Sequence, residues 1–336
     1  MTERPDTRLP LPDALRGLAA LSVAAFHLLK SARHGDLPLV KWGWLGVPAF
    51  FVISGFVIPY SMRNANVSWS YSWRYALRRS IRLDPPLWAT IVFVLLSNAV
   101  IAAVATNPGK HLAWPGLVTI LANFAYVQNL LWLPNLSVGL WTLCIEVQFY
   151  LSALVLLYFW QHLRPLATLL FVFLTCCSVI WFDHADGSDP RTFWSGYRTL
   201  FPQYCLFSLG IAACWVRLGR CRPWIFWSVV TGCCVKLLVE PHPEIAVGLI
   251  TAILLHKAAG GSWLSHQPLA YLGSRSYSLY LIHAPVGRWI MIVAAKLNIS
   301  GFWPETICLV AALIAADILY RCVERPSQVL SRRVPL

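Results

Sequence analysis

Apolar runs dominate the chain, at 13–32, 44–60, 86–105, 137–160, 166–182, 199–216, 223–239, 244–258, 276–296 and 303–320, and a charged side chain inside any of them is an exception. At ~1.5 Å rise per residue, each run would cross or nearly cross the ~30 Å hydrocarbon layer of a bilayer as a helix. The polar segments between them are short. This pattern predicts an all-α polytopic integral membrane helix bundle of about ten transmembrane helices, with both termini cytosolic. A membrane domain at 13–326 would lie between an N-terminal tail at 1–12 and a basic tail at 327–336. Residues 112–135 (HLAWPGLVTILANFAYVQNLLWLP) break the pattern, because Pro115, Asn123, Gln128 and Asn129 interrupt an apolar background. An eleventh span there would put the basic clusters at 217–222 and 321–333 outside. A partly buried or re-entrant segment on the outer side keeps them inside, and irregular backbone is tolerated at membrane depth when protein covers it.

Charge changes the picture next. The net charge of +13 arises from 27 Lys and Arg against 14 Asp and Glu. With the N-terminus inside, the clusters at 63–82, 217–222 and 321–333 all face the cytosol, which is the positive-inside signal. The opposite face receives HGDLPLVK, DHADGSDPR and EPHPE. Most of the basicity therefore encodes topology, and nucleic acid is not the expected partner. A chain that is 58% hydrophobic and 12% charged also has too little polar surface for a soluble domain. The first twelve residues are polar and proline-rich and show no cleavable signal peptide. Ten cysteines, among them the adjacent pairs Cys176-Cys177 and Cys233-Cys234 inside apolar runs, read as small core residues, and no spacing suits a metal.

An ionisable group in a membrane helix costs roughly 2.5–3.5 kcal/mol on insertion scales, so each one present needs a reason. In LRGLAALSVAAFH, Arg16 and His27 fall within about 20° of one helix face and about 16 Å apart along the axis. His27 suits either a hydrogen-bonded core position or general-base work. Arg16 reads either as a snorkelling arginine or as part of a site, with Asp13 one turn away. LWTLCIEVQFYL carries Glu146 with Phe149 and Tyr150 on its face, as an arginine partner, a catalytic carboxylate or an orienter of His27. Trp141 and Tyr150 of the same block are candidate substrate contacts. SYSLYLIH places Ser276, Tyr280 and His283 on one polar stripe, and Tyr280 and His283 could meet substrate. In RYALRRSIRLDPPLW, Arg78, Arg79 and Arg82 precede Pro85 and Pro86 and form either a topology anchor or a phosphate clamp. Ser54 in FFVISGF is a small packing residue or an acyl relay. Trp114, Tyr126, Trp132 and Trp194 are outer-side aromatics that could stack on sugars or belong to an interfacial belt.

Taken together, LPDALRGLAALSVAAFH, GVPAFFVISGFVI, RRSIRLDPPLW, LWTLCIEVQFYL, SYSLYLIH and the closing ERP at 324–326 resemble, in order, the blocks of the acyltransferase-3 family of integral membrane O-acyltransferases. The resemblance spans about residues 11–328. It implies a ten-helix bundle in a bacterial cytoplasmic membrane that moves an acyl group, usually acetyl, from cytosolic acyl-CoA to a hydroxyl of a glycan, a lipid-linked saccharide or another acceptor. It makes His27 the catalytic histidine, Arg16 its paired arginine, Arg79 and Arg82 the donor-associated Arg-x-x-Arg motif, and Glu146 the motif carboxylate. Pro48 stands where many members carry an acid, and the extra-cytoplasmic SGNH domain of some relatives has no counterpart in the sequence. No metal is implied. The rival expectation is a secondary transporter or flippase using the same Arg, His and Glu as a proton relay, and a third is a non-catalytic assembly partner.

Overall fold

The computed structural model describes residues 9–29, 37–104, 114–182, 199–258, 267–299 and 302–336. Among them the chain is helical, with no strand. The elements are α1 (Pro10–Leu28), a four-residue α2 (Pro38–Lys41), α3 (Gly46–Ser61), α4 (Trp69–Val104), α5 (Leu117–Phe124), α6 (Leu140–His162), α7 (Arg164–Ile180), α8 (Leu200–Arg217), α9 (Pro223–Val239), α10 (Pro243–Ala258), α11 (Gln267–Lys296), α12 (Phe302–Leu319) and α13 (Arg325–Ser331). The described residues of each expected apolar run fall mainly on one of these helices. Five stretches, Gly43–Ser61, Trp69–Ala102, Leu140–His162, Gln267–Lys296 and Trp303–Ser331, are both long and apolar enough to cross a membrane, which marks an integral membrane protein.

Two expectations about element bounds change. The hydropathy pattern predicts a third span beginning at Pro85 and Pro86, yet α4 runs unbroken through both prolines. Its 36 residues span about 54 Å, well beyond the hydrocarbon thickness. The prolines remove the amides that would bond the carbonyls of Ile81 and Arg82, one turn before them. The lead-in half exposes Trp69 and Trp73 at i and i+4, a stripe suited to a membrane interface. Second, α5 has eight residues, about 12 Å, so no eleventh span forms at 112–135. That segment is instead packed inward. Asn123, Gln128 and Asn129 are all nearly inaccessible, and their amides close the turn: Asn123 donates to the carbonyls of Thr119 and Pro134, Gln128 to that of Leu140, and Asn129 to that of Trp141.

The apolar core forms two clusters. One gathers α3, α6, α8, α9 and α10 around Phe56, Phe149, Phe207 and Phe226, with the Phe149 and Phe207 rings stacked at 4.2 Å. The other gathers α1, α4, α11 and α12 around Ala20, Ala24, Leu87, Leu279 and Cys308. Helix α6 serves both, giving Leu140 and Leu143 to the second cluster and Ile145 and Phe149 to the first. Glu146 thus sits at the seam. Because lipid is as apolar as leucine, close backbone approach supplies much of the association. At the α1–α11 crossing a Cβ on Gly17 would lie 2.7 Å from the Gly273 amide nitrogen, and at the α3–α8 crossing a Cβ on Gly210 would land on the Val52 carbonyl oxygen. Gly210→Val should therefore cost about 1–3 kcal/mol by overpacking and lower the thermal midpoint of the detergent-solubilised protein. Gly232→Ala, where nothing lies within 4 Å, should change it little.

Candidate active site

Helix α1 carries both Arg16 and His27, so their common face follows from one unbroken helix. It packs along α11, with Gly17 against Gly273 at one end and Leu28 against Gly287 at the other. The same two ends recur on α4, from Arg82 to Asn98, and on α12 and the turn after it, from Glu305 to Glu324. Ionisable and polar side chains cluster at both ends, with hydroxyls between them.

At the Arg16 end, Arg79 Nη2 donates to the Tyr150 hydroxyl at 2.5 Å and lies 3.7 Å from Glu146 Oε1, while its guanidinium also covers the Tyr150 ring at 3.8 Å. Ser54 Oγ donates to the same Glu146 oxygen at 2.9 Å. Arg79 and Glu146 each keep 19% of their side-chain surface accessible, so the pair is not sealed. Arg82, one turn along α4, is exposed, yet its electrostatic neighbours are Arg79, Arg16, Glu324 and Tyr150. A side chain with such neighbours is turned toward the polar cluster rather than toward lipid. Glu324 is 4% exposed and accepts from Ser278 Oγ at 2.5 Å and Gln328 Nε2 at 2.9 Å. A π-helical turn, Tyr320–Glu324, carries it, a distortion often found where a helix serves function. Three guanidiniums thus stand near the carboxyl groups of Glu146 and Glu324, with Asp13 one turn from Arg16, and such a concentration of guanidinium forks at one end suits an anionic ligand.

Between the ends, the Tyr280 hydroxyl bonds Thr142 Oγ1 at 2.8 Å, two helical turns of α6 above Tyr150, and Tyr277 donates to the Leu83 carbonyl at 2.9 Å. At the far end the His27 and His283 rings stack at 5.4 Å with 28° between their planes. His283 is 1% exposed, and its Nδ1 lies 3.0 Å from the Leu279 carbonyl. A carbonyl only accepts, so the neutral ring carries its proton on Nδ1. Its Nε2 then holds a lone pair with no hydrogen-bond partner. His27 itself lines a cavity of about 400 Å³ bounded by α1, α4, α11, α12 and residues 136–138 ahead of α6.

The structure brings Arg79, Glu146, Tyr150 and Ser54 into one group, Arg16 and Arg82 into a second beside it, and His27, His283 and Tyr280 into a third. Other expected residues sit apart. Arg78 has Tyr71 as an electrostatic neighbour. Trp141 meets Phe51 edge-on at 6.4 Å in the apolar core. Ser276 satisfies its hydroxyl on the Gly273 carbonyl of its own helix. Tyr126 is turned inward, donating to Asp84 at 2.9 Å, because Asp84 also holds Ser80 and anchors the α4–α5 contact. Trp114 and Trp132 are exposed, and Trp194 lies outside the described residues. In the sequence Glu324 stands out only as part of the ERP block, closing an apolar run that also holds Asp317. Arg288, Asn98 and Glu305 look there like ordinary end-of-span polarity.

No solved structure matches the chain. It is similar to the peptidoglycan O-acetyltransferase OatA of Listeria monocytogenes, with 27% identity over 370 residues covering 95% of this chain and 55% of the relative. The putative peptidoglycan O-acetyltransferase YrhL of Bacillus subtilis is 25% identical over 367 residues, covering 95% and 54%. The O-acetyltransferase OatA of Staphylococcus aureus is 26% identical over 358 residues, covering 95% and 57%. The chain thus spans just over half the length of these relatives. A model of the acyltransferase domain matches residues 10–321, nearly the whole helical array that joins the basic end to the paired histidines, and the chain belongs to the acyltransferase-3 family.

Proposed function

We propose that the chain is a membrane-embedded O-acetyltransferase that moves an acyl group, acetyl in the simplest case, from cytosolic acyl-CoA to a hydroxyl of a glycan. The relatives' names, which specify O-acetyltransferases and in two cases peptidoglycan, support this class of reaction and of acceptor. The carrying observation is the succession of polar side chains, from Arg82, Arg16 and Glu324 through Arg79, Glu146, Ser54, Tyr280 and Thr142 to His27 and His283, on helices that are otherwise apolar.

In this reading the basic end faces the cytosol of a bacterial cell, ten helices cross the cytoplasmic membrane, and both termini are cytosolic. Arg82 and Arg16 meet the nucleotide phosphates and the start of the pantetheine arm, because their guanidiniums are neighbours at the basic end and match phosphate oxygens in fork geometry. Arg79 is already engaged by Tyr150 and Glu146. Its task is to hold that carboxylate and phenol in place along the arm, so Glu146 acts as the arginine's partner rather than as the orienter of His27. His27 takes the proton from the acceptor hydroxyl as its oxygen attacks the thioester carbonyl; the C–S bond breaks and the CoA thiolate leaves with a proton. His283, with its proton fixed on Nδ1, stacks on the imidazole and holds its plane.

Purified protein in nanodiscs, given radiolabelled acetyl-CoA and glycan acceptors, tests the proposal: label should pass to the glycan in the presence of the wild-type chain. Movement of a labelled saccharide across the bilayer with no acyl transfer would favour the transporter reading instead.

A further inference from the structure

The cavity beside His27 is built from more than apolar wall. Asn98 Oδ1 accepts from Arg288 Nη1 at 3.1 Å, and that is the guanidinium's described hydrogen bond, leaving the rest of its five-donor fork facing an open cavity. Arg288 is exposed, with a neutral amide for its partner. Two more lining groups hold buried polar atoms without partners: Ser97 Oγ, on a residue 8% exposed, and Trp289 Nε1. Buried polar atoms are nearly always satisfied, and two unpartnered ones beside an exposed guanidinium with spare donors point to a ligand that supplies hydroxyls and an acceptor. Glu305, 5% exposed, completes the rim and can accept from hydroxyl groups. Trp289 lines the same space, and an aromatic side chain beside hydroxyl and guanidinium donors is chemistry that recognises a sugar.

We infer that this cavity, between the ends of α1, α4, α11 and α12, is the acceptor site, and that Arg288 makes it selective for a saccharide carrying an anionic group. The inference rests on the acetyltransferase reading for what happens to the bound sugar, but not for its binding. The volume of about 400 Å³ suits one to two sugar rings. A carboxylate or phosphate seated on the Arg288 fork would set the ring's register, with Ser97 and Glu305 on its hydroxyls, and so bring one hydroxyl to His27. A neutral sugar would make the same hydroxyl contacts but leave the guanidinium on Asn98 alone.

The probe pair is methyl glucuronide and methyl glucoside, which differ by one carboxylate, in equilibrium dialysis against the full chain in nanodiscs with no donor present. The wild type should bind the glucuronide about tenfold more tightly. Arg288→Gln, which removes the charge and keeps a polar amide, should erase that preference while holding the glucoside unchanged, the latter also reporting that the variant is folded. Equal affinity of the wild type for both sugars overturns the inference, as does a preference that survives in Arg288→Gln. If the variant does not fold, the wild-type ratio decides alone. Selective binding with no acyl transfer to any acceptor would overturn the acetyltransferase reading and leave the anionic site standing.

Discussion

His27→Ala should lower the rate of acyl transfer by about a thousandfold while leaving acetyl-CoA binding nearly unchanged. General-base catalysis contributes roughly 10²–10⁴-fold, and His27 is the imidazole that opens onto the cavity. The donor's phosphates would sit at the other end of α1, about 16 Å away by helix rise, beyond the reach of a missing ring. Single-turnover transfer and donor affinity, measured on the same preparation, separate the two effects. His283→Ala should cost much less, because that ring is buried behind His27 and bonds the backbone of its own helix. A His27→Ala protein with near-wild-type transfer would remove the proposed base.

Arg79→Ala should be the more damaging change to the protein itself. It strips Glu146 of its cation at 3.7 Å and Tyr150 of its hydrogen bond and cation–π partner in one step. Breaking a fully buried ion pair costs about 3–5 kcal/mol, and the partial exposure of this one lowers the figure to about 2–3 kcal/mol. Ser54 still donates to Glu146, which softens the loss further. Removing both charges should hurt less than removing one. In a double-mutant cycle, Arg79→Ala with Glu146→Gln should recover part of the stability lost in Arg79→Ala alone, read as the thermal midpoint in detergent. Arg79→Lys should not restore transfer, since an ammonium cannot hold Tyr150 and Glu146 as a planar fork does. Strict additivity of the two single changes would mean that the pair does not interact.

Much of this organisation is legible in the order of residues alone. The apolar runs become helices because a helix satisfies its own backbone within one segment in an apolar setting, and the common face of Arg16 and His27 needs only the helical period. The start of α4 is hidden because WSYSWRYALRRSIR has no continuous apolar stretch, and two prolines suggest a boundary where the helix passes through. Side-chain direction is less accessible still. Tyr126 points to Asp84, 42 residues earlier in the chain, and no local pattern announces that partner. Glu324 likewise acquires meaning only beside Ser278 and Arg82, which different helices deliver. The cavity beside His27 draws its walls from four helices, and Arg288 resembles any basic residue near a span end until the fold sets Asn98 against it as a hydrogen-bond partner.

The most direct test is an experimental structure of the chain with a non-hydrolysable acetyl-CoA analogue. The nucleotide phosphates should rest on Arg82 and Arg16, with the pantetheine arm passing Glu146 and Tyr280 and the acetyl carbonyl beside the His27 imidazole. An analogue bound with its acyl end away from both histidines, or with its phosphates at the Arg288 cavity, would contradict a single passage running from the basic end to His27.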